Sequence, residues 1–417
     1  MGSSMAATRE ACLALDADDP LLGIRDRFVL PEGVVYLDGN SLGALPRGVA
    51  ERVAAMVSRE WGEGLIRSWN AAGWYASPAR AGARLAPLLG ARPHEVTVTE
   101  TISVNLFKLL VAACRMRPGR RVIVAEHGNF PSDNHIVDSV ARMLGMEARF
   151  VPADDVVRAI DETTAVATLS HINYKTAGMQ DMAMVSAAAH ARGALTVWDL
   201  AHSSGAVELR LDTDGADFAV GCGYKYLNGG PGAPAHVFVA QRHLHALDQP
   251  LTGWFGHDDP FRFDDRYTKA SGIRHMLCST PPMLSMGAFE TALAAFDGVE
   301  MAAVERKGKA LCDLMLALYD THLVQLGFGL ATPRGTGRRG NHVSFTHPAG
   351  YAIMRALVAR GVIGDFRAPD ILRFGFGPLY VRHVDVYDAV AAIADVYSSG
   401  EWRAMNEQDS DPKQRVT

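Results

Sequence analysis

Gly221-Cys222-Gly223-Tyr224-Lys225-Tyr226-Leu227-Asn228-Gly229-Gly230-Pro231-Gly232 sets a lysine between two tyrosines, behind an apolar run (Asp217 to Cys222) and ahead of a glycine-rich turn. Held in a dry pocket, a lysine there loses proton affinity and its amine becomes nucleophilic. Such an amine forms a Schiff base with an aldehyde cofactor. A single lysine at a strand end more commonly points into water. The decision therefore rests on what lies upstream.

Asp199, in Trp198-Asp199-Leu200-Ala201-His202, precedes Lys225 by 26 residues, about one crossover between neighbouring strands. A carboxylate at one strand end and a lysine beyond the next suit pyridoxal 5′-phosphate. Its ring nitrogen must stay protonated to accept electrons, and a buried aspartate enforces that, while the lysine holds the aldehyde carbon. Taken singly, Asp199 reads as a turn or cap residue and His202 as a satisfied structural histidine. Together with an upstream anion cradle they favour the cofactor. That cradle is the strand Val96–Glu100 followed by Thr101-Ile102-Ser103 and a helix over Leu106–Ala113. A helix N-terminus with hydroxyls binds anions, and Thr101 or Ser103 can serve as its N-cap as well. Lys175 is the rival Schiff-base lysine. It sits in a polar turn, without an aspartate at a comparable offset.

Further strands are expected at 34–38, 121–126, 164–172 and 194–200, with helices over 46–60, 132–144 and 182–191. Such alternation implies a mostly parallel α/β sheet covered on both faces. In such sheets ligands collect at strand C-termini, and Asp133, Asp199 and Lys225 all fall at or beyond such ends. From about Gly287 the texture turns helical (288–296, 302–325, 351–360), with strands at 342–346 and 371–374. This reads as a smaller C-terminal α+β domain. The division expected is an N-terminal segment 1–45, a large domain 46–285, a small one 286–405 and a polar, frayed tail 406–417. Three of the six tryptophans (Trp61, Trp69, Trp74) fall in one stretch, which suits a ligand-facing loop or a subunit interface equally.

The chain has 417 residues, 48% hydrophobic, enough for a large and a small domain with ample core. Net charge is −5 without a long basic run, which argues against a nucleic-acid surface. No apolar stretch reaches the roughly 18 residues of a membrane span. No signal-peptide core opens the chain, and Met1-Gly2-Ser3-Ser4 reads as a cloning remnant. Five scattered cysteines (12, 114, 222, 278, 312) without metal spacing fit a reducing, cytoplasmic compartment.

Several stretches resemble the kynureninase family of fold-type-I pyridoxal-phosphate enzymes, within the class V aminotransferase-like group. They are Tyr36-Leu37-Asp38-Gly39-Asn40-Ser41-Leu42-Gly43, Asn129-Phe130-Pro131-Ser132-Asp133, Asp199-Leu200-Ala201-His202, Tyr224-Lys225-Tyr226-Leu227-Asn228, Gly253-Trp254-Phe255-Gly256-His257 and Pro378-Leu379-Tyr380. The likeness runs from about residue 34 to 400. It implies hydrolytic cleavage of L-kynurenine, with 3-hydroxykynurenine as a second candidate substrate, in tryptophan catabolism and NAD biosynthesis. It also implies a homodimer.

The resemblance further implies a role for each matching residue. Lys225 carries the Schiff base and moves the Cα proton, and Asp199 pairs with the ring nitrogen, supported by Asp133. Phe130, in the Phe130-Pro131-Ser132 turn, stacks on the ring. Ile102, Ser103, Tyr224 and Ser170 surround the phosphate. His202 packs near the ring, and Trp254 and Thr280 reach the phosphate from the same or the partner subunit. Arg373 clamps the substrate carboxylate, and Tyr224 is the acid/base at Cβ or the hydrated carbonyl. The tryptophans of 61–74 form the aryl end of the pocket, and with a threonine they favour the unhydroxylated substrate. Two positions depart from the family. Gly223 stands where many relatives have a hydroxyl residue, so one phosphate contact is expected to be missing. Ile102 replaces a polar or larger residue, but its backbone contact survives.

Two alternatives stay open on sequence. One is a cysteine desulfurase or another class V aminotransferase, which would need a mobile reactive cysteine. Cys278 is the candidate nearest a pocket segment. The other is a non-catalytic pyridoxal-phosphate-binding protein, against which the retention of Lys225, Asp199 and Arg373 argues.

Overall fold

The computed structural model describes residues 8–407. Met1–Ser4 and the tail beyond 407 lie outside them. Seven strands form the central sheet: β1 (Val96–Val98), β2 (Val122–Glu126), β3 (Glu147–Val151), β4 (Thr164–Ser170), β5 (Leu195–Asp199), β6 (Phe218–Cys222) and β7 (Ala235–Val239). Their spatial order is β1-β7-β6-β5-β4-β2-β3. All neighbours are parallel except β7, which runs antiparallel to both β1 and β6.

Strands β2, β4, β5, β6 and β7 are buried at every position. That is why they read as continuous apolar runs rather than alternations. Helices Ile102–Arg115 and Pro131–Leu144 supply Leu106, Leu109, Leu110, Val137 and Val140 to a core that also takes Ile123, Val166, Val197 and Val220 from the sheet. The opposite faces of the same strands, through Val124, Ala167, Trp198 and Ala219, join a second core. Helix Met182–Ala191 has the bounds that its periodicity predicts.

The sheet register positions the chemistry. Ser170 closes β4 directly opposite Asp199, which closes β5, and Asp199 in turn pairs with Val220 of β6. Three residues past the end of β6 comes Lys225. All three therefore share the C-terminal edge of the parallel strands, where ligands gather in such sheets.

A second, four-stranded antiparallel sheet comprises β8 (Gly329–Leu330), β9 (His342–Thr346), β10 (Asp365–Arg367) and β11 (Ile371–Gly375), in the order β8-β9-β11-β10. Helices Met301–His322, Gly350–Ala359 and His383–Ser399 accompany it. The N-terminal segment joins this unit. Val35–Tyr36 pairs in parallel with Val362–Ile363, and Asp38 bridges to Gly375.

The helix expected over 46–60 is corrected. An α-helix spans only Val49–Ala55, and Met56–Gly64 widens into a π-helix. Gly62 and Gly64 weaken α-helical hydrogen bonding there. Ser68 Oγ donates to the Glu60 carbonyl at 2.6 Å. No helix among the described residues is long and apolar enough to cross a membrane.

Asp16 ties the first helix, Arg9–Ala17, to the start of His383–Ser399. Its carboxylate accepts from the backbone N–H of His383 (2.6 Å) and of Val384 (3.0 Å), and lies 2.9 Å from His383 Nδ1. Asp16→Ala strands these buried donors and is expected to lower unfolding stability by about 1–3 kcal/mol. The midpoint in urea checks this. An unchanged midpoint would show that the N-terminal helix contributes nothing through this contact.

Candidate active site

At the C-terminal edge of the sheet lies a cavity of about 560 Å³. Ten of the residues predicted for the site line it: Ile102, Ser103, Phe130, Ser132, Asp133, Ser170, Asp199, His202, Tyr224 and Lys225. Its remaining walls include Glu100, Tyr174, Cys222 and the loop Gly232–Ala235.

One end of the cavity is built for an anion. Helix Ile102–Arg115 opens there, capped by Thr101, whose hydroxyl accepts from the Val104 N–H at 3.4 Å. The other opening N–H groups point outward at the positive end of a 14-residue helix. Glu100, just before it, adopts a left-handed backbone (φ 53°) at the cavity rim.

The other end carries a buried carboxyl pair. Asp199 Oδ1 accepts from the Ala201 N–H at 2.7 Å, and Ser170 Oγ lies 3.4 Å from Oδ2. Asp133 hydrogen-bonds to Asp199 and lies 3.5 Å from the Asn129 amide. Ser170 Oγ donates to Asn129 Oδ1 at 2.6 Å, so Asn129 links the pair. Burial, and then the Asp199 charge, hold the Asp133 carboxyl well above the usual range. Burial also raises Asp199, against the pull of Lys225 and the Ala201 N–H. The consistent assignment is a proton on Asp133 and a charge on Asp199.

Between the two ends stands the Lys225 amine. Its Nζ lies 3.2 Å from His202 Nε2 and 5.9 Å from the centroids of both Phe130 and Tyr224. Burial and then the Lys225 charge push His202 well below its ordinary value, so its ring is neutral. Burial raises the Tyr224 phenol, which keeps its proton at neutral pH. Gly43 buttresses the lysine loop from the N-terminal segment. Its N–H donates to the Tyr224 carbonyl at 2.8 Å, and any side chain at 43 would strike the Lys225 carbonyl. An anion cradle, an amine and a charged carboxylate line one cavity, a donor set that suits pyridoxal 5′-phosphate.

Several residues expected at the site do not line this cavity within one chain, and one expectation, Cys278 as the cysteine nearest the pocket, is corrected. Among the described residues lining this cavity, Arg373 is absent. It is buried in β11, where Nε donates to Asp365 Oδ1 (2.8 Å), Nη2 to Ser41 Oγ (2.9 Å) and Nη1 to the Tyr174 carbonyl (2.6 Å). Trp254 lines a separate cavity with His257, Phe263 and Tyr267, and neither Thr280 nor Pro131 reaches the Lys225 cavity within one chain. The tryptophans of 61–74 do not reach it either. Trp69 packs on Trp74 and Phe255, Trp74 Nε1 donates to Glu60 at 2.7 Å, and Trp61 is exposed. The basis for preferring the unhydroxylated substrate therefore falls away within a single chain. Finally, the cysteine at the cavity is Cys222, not Cys278.

The rival Lys175 lies in a different cavity, over the Tyr174 ring. Gly223 has a steric reason. A Cβ there would stand 2.6 Å from the Pro234 carbonyl and 3.2 Å from Phe289, so the loop after Lys225 closes where a side chain would be. Signals missed on sequence are Asn129, Tyr174 and Asp365. Asn129 and Asp133 share one motif, and Asp365 lies directly across the sheet from Arg373.

The kynureninase C-terminal domain model matches residues 304–393. A kynureninase of Burkholderia mallei strain SAVP1 is 52% identical over 405 residues, covering 95% of this chain and 97% of its own. The kynureninase of Pseudomonas fluorescens is 50% identical over 402 residues, with the same coverage. Among solved structures, a C-DES variant with glycine covalently linked to its PLP cofactor superposes with a TM-score of 0.79 at 17% identity, covering 89% of this chain and 99% of its own. The cysteine desulfurase of Thermococcus onnurineus gives 0.76 at 17% identity, over 90% of this chain and 98% of its own. At such identities these two establish the fold-type-I architecture alone.

Gly223→Ser tests the closed loop against a missing phosphate contact. Overpacking against Pro234 is expected to cost about 1–3 kcal/mol and to weaken cofactor retention. Differential scanning fluorimetry and a cofactor titration read both. A variant with unchanged melting and tighter cofactor binding would restore the missing-contact reading.

Proposed function

The chain belongs to the kynureninase family, and on that premise we propose that it hydrolyses the Cβ–Cγ bond of L-kynurenine to anthranilate and L-alanine in tryptophan catabolism. One water is consumed: its hydroxyl goes to the acyl carbon and a hydrogen to Cβ. Pyridoxal 5′-phosphate is the cofactor. When bound, it supplies an aldehyde for amines and a protonated ring that takes up the electron pair left at a substrate carbon. The observation that carries the reading is one cavity holding the Lys225 amine between a helix N-terminus and the Asp199–Asp133 pair.

Each residue has a task that follows from its surroundings. The first N–H groups of helix Ile102–Arg115, with Ser103, would hold the phosphate, and Phe130 would pack on the ring. Asp133 keeps the shared proton, which leaves Asp199 charged toward the ring nitrogen. Lys225 Nζ takes the Cα proton. His202, neutral and 3.2 Å away, accepts a hydrogen bond from that amine. Tyr224 keeps its phenolic proton and donates it at Cβ or at the hydrated carbonyl.

Arg373 remains our proposed partner of the substrate carboxylate, for a reason of charge. Arg373 and Arg367 both pair with Asp365, and Asp38 is buried beside them. Burial, and then the Asp365 charge, push Asp38 up to about 8, so it is neutral at neutral pH. The cluster then holds two guanidinium cations and one carboxylate. Its net positive charge suits one more carboxylate, which would share Arg373 with Asp365.

We also propose a homodimer. Trp61, Leu65, Ile66, Phe261 and Phe263 are exposed, and Trp254 and Thr280 stand away from their own chain's cavity. A second copy covering this face would join these residues to the neighbouring cavity. The five free cysteines support a reducing, cytoplasmic location.

The direct test mixes the protein, pyridoxal phosphate and kynurenine and follows anthranilate fluorescence. Turnover is expected for the native chain and its loss for Lys225→Ala. Sulfide from cysteine without anthranilate from kynurenine would overturn the reading. A second test uses Asp38. As pH rises through about 8, Asp38 gains its charge and the cluster loses its net positive charge. KM for kynurenine is expected to rise in that range, and to do so less in Asp38→Asn. A KM that falls or stays level across pH 7–9 in the native chain would remove Arg373 and its neighbours from substrate binding.

A further inference from the structure

His342, on β9, is fully buried, and neither of its ring nitrogens has a hydrogen-bond partner among the described residues. Its ring centroid lies 5.4 Å from that of His202. His202 is unpartnered on the same terms at Nδ1, while its Nε2 faces the Lys225 amine at 3.2 Å. Buried polar atoms are nearly always satisfied, and exceptions concentrate where a site needs them. Two histidines with unpaired nitrogens, ring beside ring and one of them on the reactive amine, are not explained by packing.

Resting on the assignment of Lys225 as the cofactor lysine, we propose that His342 is a positioning residue that fixes the tautomer of His202 and, through it, the proton affinity of the Lys225 amine. In the proposed chain, Lys225 Nζ–H donates to His202 Nε2, and His202 Nδ1–H donates to a His342 nitrogen, a bond that the present ring orientations do not make. Lys225 is donor-rich, so His202 must present a lone pair at Nε2 and carry its hydrogen at Nδ1. The ring centroids are 5.4 Å apart, so a nitrogen of each ring turned toward the other comes within hydrogen-bond range. An imidazole that donates to a second acceptor is itself a better acceptor. His342 thereby favours the charged form of the Lys225 amine.

The groups facing this pair are Lys225 and Arg373 on both rings, Arg367 on His202 and Asp365 on His342. Burial, reinforced by the neighbouring cations, keeps both imidazoles neutral. The pair thus transmits hydrogen-bond polarity without adding a charge beside the cofactor ring.

His342→Phe separates this role from packing. Removing one partner of a buried hydrogen bond leaves the other unpaired, so melting is expected to fall modestly with the fold kept. The pH midpoint of the cofactor's visible absorbance in the loaded enzyme is expected to fall by about one unit, and the alkaline limb of kcat to move with it. His342→Gln, which can accept from Nδ1–H and also donate, is expected to restore the native midpoint. In parallel, ¹⁵N correlation spectra of histidine-labelled apoprotein are expected to show Nδ1 of His202 protonated and hydrogen-bonded. They need no folded variant.

An identical absorbance midpoint in a well-folded His342→Phe, or a His202 protonated at Nε2 in the native spectra, would overturn the proposal. Failure of the underlying assignment looks different. In that case borohydride reduction of the native protein with cofactor would leave no pyridoxyl mass on the peptide bearing Lys225.

Discussion

A buried site can hold only so much uncompensated charge, and that constraint orders everything at the C-terminal edge of the sheet. Two carboxyls and one amine converge there with little water to screen them. The structure meets the constraint by leaving one charge on each side: Asp133 keeps a proton, Asp199 and Lys225 do not neutralise one another away, and His202 stays neutral between. The sheet register makes this possible, because it sets Ser170 opposite Asp199 and lets Asn129 tie Asp133 to both. A protonated cofactor ring entering this space would find one carboxylate, correctly charged, and no competitor for it.

A second charged centre sits on the small sheet and is kept apart from the first by the two neutral imidazoles. Asp365 and Arg373 are directly paired across β10 and β11, and Ser41 and Asp38 arrive from the N-terminal segment. The two ends of the chain are thereby fastened around one guanidinium. Holding Arg373 so firmly looks wasteful for a residue proposed to take a substrate. It is the expected arrangement for preorganisation, since a buried arginine without a resident carboxylate would be costly to maintain between substrates.

How much of this the sequence disclosed follows from which features are local. Strands β2, β4, β5 and β6 are continuous apolar runs bounded by turns, and their ends deliver Ser170, Asp199 and Lys225 directly. Two strands of the central sheet were missed. Edge strand β3 is only partly buried and reads as mixed polarity, and β7 hides behind Gly232-Ala233-Pro234. The π-helix at Met56–Gly64 was invisible because apolar spacing carries across it, while the Gly62 and Gly64 breaks and the Ser68 hydroxyl on the Glu60 carbonyl act near its end. The tryptophans also depend on distant contacts. Their composition suits a ligand-facing loop or a subunit interface equally, and within one chain Trp69 packs on Trp74 and Phe255, and Trp254 on Phe255. Arg373 came from the family resemblance alone, and its engagement with Asp365 needed the antiparallel pairing to be seen.

The shared architecture with cysteine desulfurases raises the question of what keeps this site from sulfur chemistry. A desulfurase needs a thiol that ionises and can travel to the substrate. Cys222 is at the cavity, but it is fixed in β6 and buried, and burial raises its thiol. Cys278 is partly exposed, but its thiol donates to the Leu251 carbonyl at 2.8 Å, and burial raises it as well despite Lys108 nearby. Neither combines mobility with a thiolate. The Lys225 cavity instead carries a proton-bearing phenol and a polarised amine, which suit a reaction that must move protons between carbon and oxygen atoms.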